Sequence, residues 1–340
     1  MKKTKFTVLV TIIFVIGLVT PVFAAAPMFN FFCSYHTKKD GVALTKEITF
    51  QYSVKDFQNF SNQSDGGKDG INVLRAILEY DENIFEPIEI NKTSDGNYNG
   101  IKTTTSKGEK AIQAKGNWSG LTYNPETKKI VIEASKFINY EDEVLEITLK
   151  VKPTAKLGNT TVTLKDIEGS DEKKDIHPAQ VSTTVEVINA ITDPIPDPDN
   201  PNLFYLRILP DMKVSEFKAL APYLTGTIKN VQNTALGNDD YVPTGASTIE
   251  GEKTYIIIAI GDLNSDGKLT ATDLSQLKAY EVDLLKTLTD HQKRACDIKW
   301  DAKLTVVDRS QLRILMTGMS DPKFYEWNGT GDRVCVPVEY

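Results

Sequence analysis

Between Asp262 and Asp273 the chain carries oxygen-bearing side chains at a spacing suited to a hard cation. A calcium loop supplies side-chain oxygens from its first, third, fifth and twelfth positions, a main-chain carbonyl from the seventh, and a glycine at the sixth for the sharp turn. In the stretch GDLNSDGKLTATDLSQL, Asp262, Asn264 and Asp266 fill the first three side-chain positions and Gly267 the turn. Lys268 offers its carbonyl, Thr270 sits at the ninth position and Asp273 closes the loop. Leu274 and Leu277 then fall on one face, so a helix is expected to leave the loop. The competing reading is a polar, Asx-rich turn that holds no metal.

A second run, CDIKWDAKLTVVDRSQL from Cys296, repeats this pattern. Asp297, Asp301, Lys303 and Asp308 stand where Asp262, Asp266, Lys268 and Asp273 stand in the first copy, and both copies end in Ser-Gln-Leu. Lys299, however, replaces the asparagine, and Ala302 replaces the glycine. An ammonium has no lone pair to give, and alanine resists the positive φ that glycine takes freely. One calcium site is therefore expected in the first loop. The degenerate second loop is expected to bind calcium weakly or not at all, with Lys299 pairing with Asp297, Asp301 or Asp308 in place of the ion.

No constellation for catalysis accompanies the loops. His36, His177 and His291 are the only histidines and lie far apart in the chain, and neither a Gly-x-Ser-x-Gly elbow nor a His-Glu-x-x-His pair occurs. Glycosidic hydrolysis needs only two carboxylates, which composition alone does not exclude. A sandwich of about 160 residues with short loops leaves little room for a substrate cleft, so a non-enzyme is expected.

The elements that would position the loops read as follows. From residue 28 to 190 the pattern has period two: Ile48, Phe50, Tyr52 and Val54 alternate with Thr49, Gln51 and Ser53. Leu145, Ile147, Leu149 and Val151 alternate with Glu146, Thr148 and Lys150. Further strands are expected at 71–80, 110–114, 129–133, 160–165 and 181–188, without helices between them, which predicts an all-β jelly-roll sandwich. Residues 191–202, ITDPIPDPDNPN, read as a stiff proline-rich linker. A small α+β module is expected over 203–260, with strands at 203–209 and 255–260 and a helix over VSEFKALAPYL capped by Ser215. The duplicated loops then occupy 261–320, and 321–340 form a tail.

Lys2, Lys3 and Lys5 before the apolar run from Phe6 to Val19, with Val22-Phe23-Ala24 after it, predict a signal peptide over 1–24 and hence a secreted chain. No later stretch offers the roughly 20 apolar residues of a membrane-spanning helix. A net charge of -7 without a cluster of Lys and Arg argues against nucleic acid. Of three cysteines, Cys296 and Cys335 are the candidate disulfide, which leaves Cys33 odd; the alternative is that all three are buried or unpaired.

A duplicated calcium loop followed directly by a helix resembles a dockerin, on Gly261–Val282 and Cys296–Met319 with LTDHQKRA as the short connecting helix. The resemblance implies docking onto a cohesin, the partner module of cellulosome-type, polysaccharide-degrading assemblies. The family's partner-reading positions fall here on Ala271, Thr272 and Lys278 in the first copy and on Val306, Val307 and Arg313 in the second. The segments LRAILEYDENIFEPIEI, WSGLTYNPETKKIVIE and EVLEITLKVKPTAKLGNTTVTLKDIEG are similar to a cohesin domain, whose scaffold is shared with carbohydrate-binding modules. The expected partners are thus cohesin- or dockerin-bearing secreted proteins, and polysaccharide is a further partner if Trp118, Tyr123 and Tyr140 form an exposed row. The opposing reading is that these rings are core and that the tail is an internal, calcium-stabilised clamp.

Overall fold

A computed structural model describes residues 26–38, 41–58, 60, 70–92, 98–170, 175–299, 303–319, 326–327 and 333–334. The expected signal peptide and most of the C-terminal tail lie outside these residues. Thirteen strands build the N-terminal sandwich: β1 (Met28–His36), β2 (Val42–Ala43), β3 (Glu47–Gln58), β4 (Ile71–Glu79), β5 (Ile90–Lys92), β6 (Tyr98–Ile101), β7 (Ile112–Ala114), β8 (Trp118–Asn124), β9 (Lys129–Ile138), β10 (Asp142–Lys150), β11 (Gly158–Ser170), β12 (Asp175–Ile176) and β13 (Val181–Ile188). One sheet runs β1-β3-β10-β7, the facing one runs β2-β13-β11-β4-β9-β8 with β12 appended to β11, and β5 and β6 pair with each other in a separate two-stranded ribbon. All pairs in the two sheets are antiparallel except β13 with β2.

The period-two residues do what alternation requires. Ile48, Phe50, Tyr52 and Val54 of β3 and Leu145, Ile147 and Leu149 of β10 are buried, and they meet Leu74, Leu78, Ile130, Ile132, Val162 and Leu164 in one core. Two strands run longer than their local pattern predicts, β9 to Ile138 and β11 to Ser170. In β11 the register shifts between Lys165 and Glu168 where Asp166 takes φ +48, and this bulge lets the strand continue after the alternation breaks. The β8–β9 turn is set by Asn124, whose side-chain oxygen accepts from the Glu126 and Thr127 N–H groups.

The C-terminal half contains β14 (Ile195–Pro196), β15 (Leu203–Ile208), α1 (Val214–Leu220), β16 (Ala246–Glu250), β17 (Lys253–Ala259), α2 (Ala271–Glu281), α3 (Asp290–Cys296) and α4 (Val306–Met316). Its sheet has the order β14-β15-β17-β16, with β15 and β17 parallel. On one face Leu206 and Ile208 join a core that includes Val214 and Phe217 of α1. On the other, Tyr205 and Ile258 pack against Ala295 of α3. The sheet therefore takes its second cover from the repeat region, and residues 203–260 do not close a core alone.

Two expectations are corrected here. The segment read as a linker contains a short edge strand: Ile195 and Pro196 pair with Tyr205 and Phe204, and Ile191 bridges Ile208. Proline is tolerated there because an edge strand needs only one row of its hydrogen bonds. The cap of α1 is Lys213, not Ser215; the bridge between Lys213 and Tyr241 fixes the helix start, and the Glu216 carboxylate accepts from the Lys213 N–H at 3.1 Å. The two halves are tied together by the Leu209 N–H to the Ala190 carbonyl at 3.2 Å and by Lys150 to Glu216 at 2.9 Å. Lys46 Nζ also donates to the Pro210 carbonyl.

Candidate functional site

β17 delivers the first loop directly from the sheet, and Asp262, its opening residue, is fully buried. Asp262 Oδ2 accepts from the Gly267 N–H at 2.9 Å and from the Thr244 N–H at 2.8 Å, and its Oδ1 accepts from the Asp266 N–H at 3.0 Å. Gly267 has φ +80, and a Cβ there would lie 2.7 Å from the Tyr241 Cβ. Both the backbone angle and the space demand glycine at this position. Asp273 Oδ1 accepts from the Leu263 and Asn264 N–H groups, while its Oδ2 accepts from the Thr270 N–H and hydroxyl at 2.8 and 2.9 Å. The closing carboxylate is thus also half of a capping box that starts α2.

Burial pushes the Asp262 carboxyl up to about 6 against the pull of the three N–H donors, because no cationic side chain among the described residues stands beside it. The donor set is all hard oxygen, and the buried charge is one a cation would offset, so these residues fit calcium. Asp266 is turned to the Asn264 side-chain amide at 2.8 Å and to the Lys268 N–H at 2.8 Å. Among the described residues no three His, Cys, Asp or Glu side chains converge as a preformed metal cluster.

The second copy repeats the scaffold. Asp308 Oδ2 accepts from the Thr305 N–H and hydroxyl at 2.9 and 2.8 Å, its Oδ1 faces the Lys299 N–H at 3.4 Å, and the result is the same capping box at the start of α4. Asp301 and Ala302 lie outside the described residues. A cation from outside the repeats, Arg207 of β15, reaches this copy, and Asp301, one of the three partners expected for Lys299, lies outside the described residues. Arg207 is 2% exposed and donates through Nη2 to the Asp297 carbonyl at 2.8 Å and through Nη1 to the Ile298 carbonyl at 3.3 Å. The reason is geometric: Arg207 points to the α3 face of the sheet and so lies beneath the residues that leave α3. Thr244 and Arg207 are the site residues that reading by motif missed, since both belong to a different segment from the loops they complete.

All six positions expected to read a partner are on the surface. Val306 and Val307 are 61% and 40% exposed, and Ala271, Thr272, Lys278 and Arg313 are also exposed. Leu277 and Leu312, on the opposite faces of α2 and α4, are buried. Arg309 of α4 pairs with Glu281 of α2 and holds the two helices side by side. The aromatic row does not form: Trp118 and Tyr123 are core residues, and of the three only Tyr140 is exposed. His36 is on β1, His177 follows β12 and His291 is on α3, so the structure does not gather them. Cys296 is buried with a free thiol, and its candidate partner Cys335 lies outside the described residues. No helix among the described residues is long and apolar enough to cross a membrane.

No protein-family model matches the chain, and no curated protein matches it in sequence. Among solved structures it is similar to the cohesin module of a family 33 glycoside hydrolase from Clostridium perfringens, at 12% identity over 48% of this chain and 98% of that one, with a TM-score of 0.31. It is likewise similar to the seventh ScaB type I cohesin of Pseudobacteroides cellulosolvens, at 17% identity over 50% and 97% of the two chains, with a TM-score of 0.30. A third likeness is to a non-cellulosomal cohesin from the archaeon Archaeoglobus fulgidus, at 12% identity over 48% and 92%, with a TM-score of 0.29.

Proposed function

We propose that this chain is a secreted, non-catalytic assembly protein whose sandwich receives one partner in the manner of a cohesin and whose paired loop–helix repeats engage another in the manner of a dockerin. The setting is a polysaccharide-degrading system outside the cell. The observation that carries the reading is the surface of the repeats. Two equivalent units bury Leu277 and Leu312 inward and expose Ala271, Thr272 and Lys278 together with Val306, Val307 and Arg313 outward. Two adjacent exposed valines at a helix start are apolar surface available to a partner, which supports the reading.

Calcium in the first loop would be held by side-chain oxygens of Asp262, Asn264, Asp266 and Asp273 and by the Lys268 carbonyl. The ion supplies charge to a buried carboxylate and stiffness to the loop that launches α2. Arg207 supplies the charge at the second copy, so one ion per chain is expected. A second reading has an observation in its favour: Thr244 and Arg207 knit both copies into the chain's own interior, as in an internal clamp.

The test is calorimetry of the mature chain with calcium and with EDTA, followed by retention on immobilised cohesin-bearing and dockerin-bearing secreted proteins of the source. Binding of one calcium and calcium-dependent retention of a cohesin-bearing protein, lost when Val306 and Val307 are both changed to Asp, is the expected result. Calcium binding without retention of any such protein would leave only the clamp.

A further inference from the structure

We propose that the first loop is a calcium-responsive latch that fixes the sandwich to the C-terminal half; the proposal rests on reading that loop as a calcium site. The loop does not sit free at the end of β17. It is seated on two chain segments of the preceding module, around Pro210–Met212 and Tyr241–Thr244. The Gly267 carbonyl accepts from the Asp211 N–H at 2.9 Å, and the Asp262 carboxylate accepts from the Thr244 N–H at 2.8 Å. The Lys268 ammonium lies 4.5 Å over the Tyr241 ring, and the close approach of Gly267 to Tyr241 leaves no room for a side chain. The Val242 N–H donates to the Met212 carbonyl at 2.9 Å and joins the two segments to each other.

One of these segments is also where the sandwich is fastened. Lys46, in the turn between β2 and β3, donates through Nζ to the Pro210 carbonyl. The next residue, Asp211, holds the loop through its N–H and has φ +58, the left-handed conformation that is uncommon for residues other than glycine, asparagine and aspartate. A continuous path therefore runs from Lys46 through Pro210 and Asp211 to Gly267, the turn residue of the loop. The Asp211 carboxyl lies within electrostatic reach of Asp266 and Asp273 as well as of Lys46 and Lys268. An ion in the loop balances this carboxylate group and lets Gly267 keep its seat on Asp211. Without that charge the carboxylates repel one another, the turn relaxes, and Asp211 is released from one side and Lys46 from the other.

Hydrogen exchange of the mature full-length chain in calcium and in EDTA tests this. Calcium is expected to slow exchange by about tenfold or more not only in 261–273 but also in 208–214, 240–246 and the sandwich turn at 42–48, while β4 at 71–79 is unchanged. A Lys46→Met variant should keep the response of 208–214 and 240–246 and lose that of 42–48. If calcium protects 261–273 alone, or if 42–48 still responds in the Lys46→Met variant, the latch is refuted and the calcium site stands. If calcium changes nothing anywhere, the reading of the loop as a calcium site fails, and the latch with it.

Discussion

Replacing Arg207 by Met isolates the contribution of a cation that belongs to one module and serves another. Met keeps much of the volume, so the cavity term stays small. What is lost is a pair of hydrogen bonds from a charged donor to the Asp297 and Ile298 carbonyls, at 2.8 and 3.3 Å, in a site where the arginine is 2% exposed. Charge-assisted hydrogen bonds contribute about 1.5–3 kcal/mol each. Part of that sum is returned because a guanidinium no longer has to be desolvated, so a net loss of about 3 kcal/mol is expected. The Arg207 N–H to Thr192 Oγ1 bond, at 3.0 Å, is made by the main chain and survives the change. The assay is urea unfolding of the full chain in EDTA and in calcium. With a slope of about 3 kcal/mol/M, the transition of the C-terminal half should move down by about 1 M. Calcium stoichiometry should not change, because the proposed ion site is the first loop. A destabilisation below about 1 kcal/mol would refute the argument that Arg207 acts as the fixed cation of the second copy.

Gly267→Ala should cost about 2–3 kcal/mol and weaken calcium binding, because φ is +80 and the new Cβ would meet the Tyr241 Cβ at 2.7 Å; melting and calorimetry read both. The double change Val306→Asp and Val307→Asp should leave the melting free energy within about 0.5 kcal/mol of wild type, since both side chains are exposed, while partner retention is lost. In EDTA, stability should fall as pH rises. The folded Asp262 carboxyl is pushed up from 3.8 to about 6 by burial, so its contribution is complete below about pH 4 and is lost through pH 6, by about 3 kcal/mol in all. Calcium should flatten this slope, and so should Asp262→Asn; a calcium-free stability that rises between pH 4 and 6 would contradict the account of the buried carboxylate.

What the sequence made legible is what depends on neighbours in the chain. The alternation in β3 and β10 reports one buried face, and β13 falls at Val181–Ile188 as its pattern predicts. The duplicated Thr-x-x-Asp was visible as loop chemistry, and the same letters are also a capping box, a second meaning that local sequence carries equally well. The linker and the two intruding residues were not legible in this way. A proline-rich stretch looks the same whether it hangs free or lies along a sheet edge, because proline is excluded only from strands paired on both sides.

One signal was nevertheless available. Leu203 to Leu209 is apolar throughout except at Arg207, and it does not alternate. A strand with one wet face would show period two, whereas a parallel strand covered on both faces reads as a continuous apolar run. That run therefore requires helices on both sides of the sheet, and residues 203–260 contain a single helix, α1. The second cover had to come from the repeats. An arginine within such a run has to find carbonyls or carboxylates in whatever covers it, since a buried guanidinium left unpaired is too costly to keep. The Asp297 and Ile298 carbonyls, at the point where the chain leaves α3, meet that requirement, and they make the repeats and the module before them one folding unit.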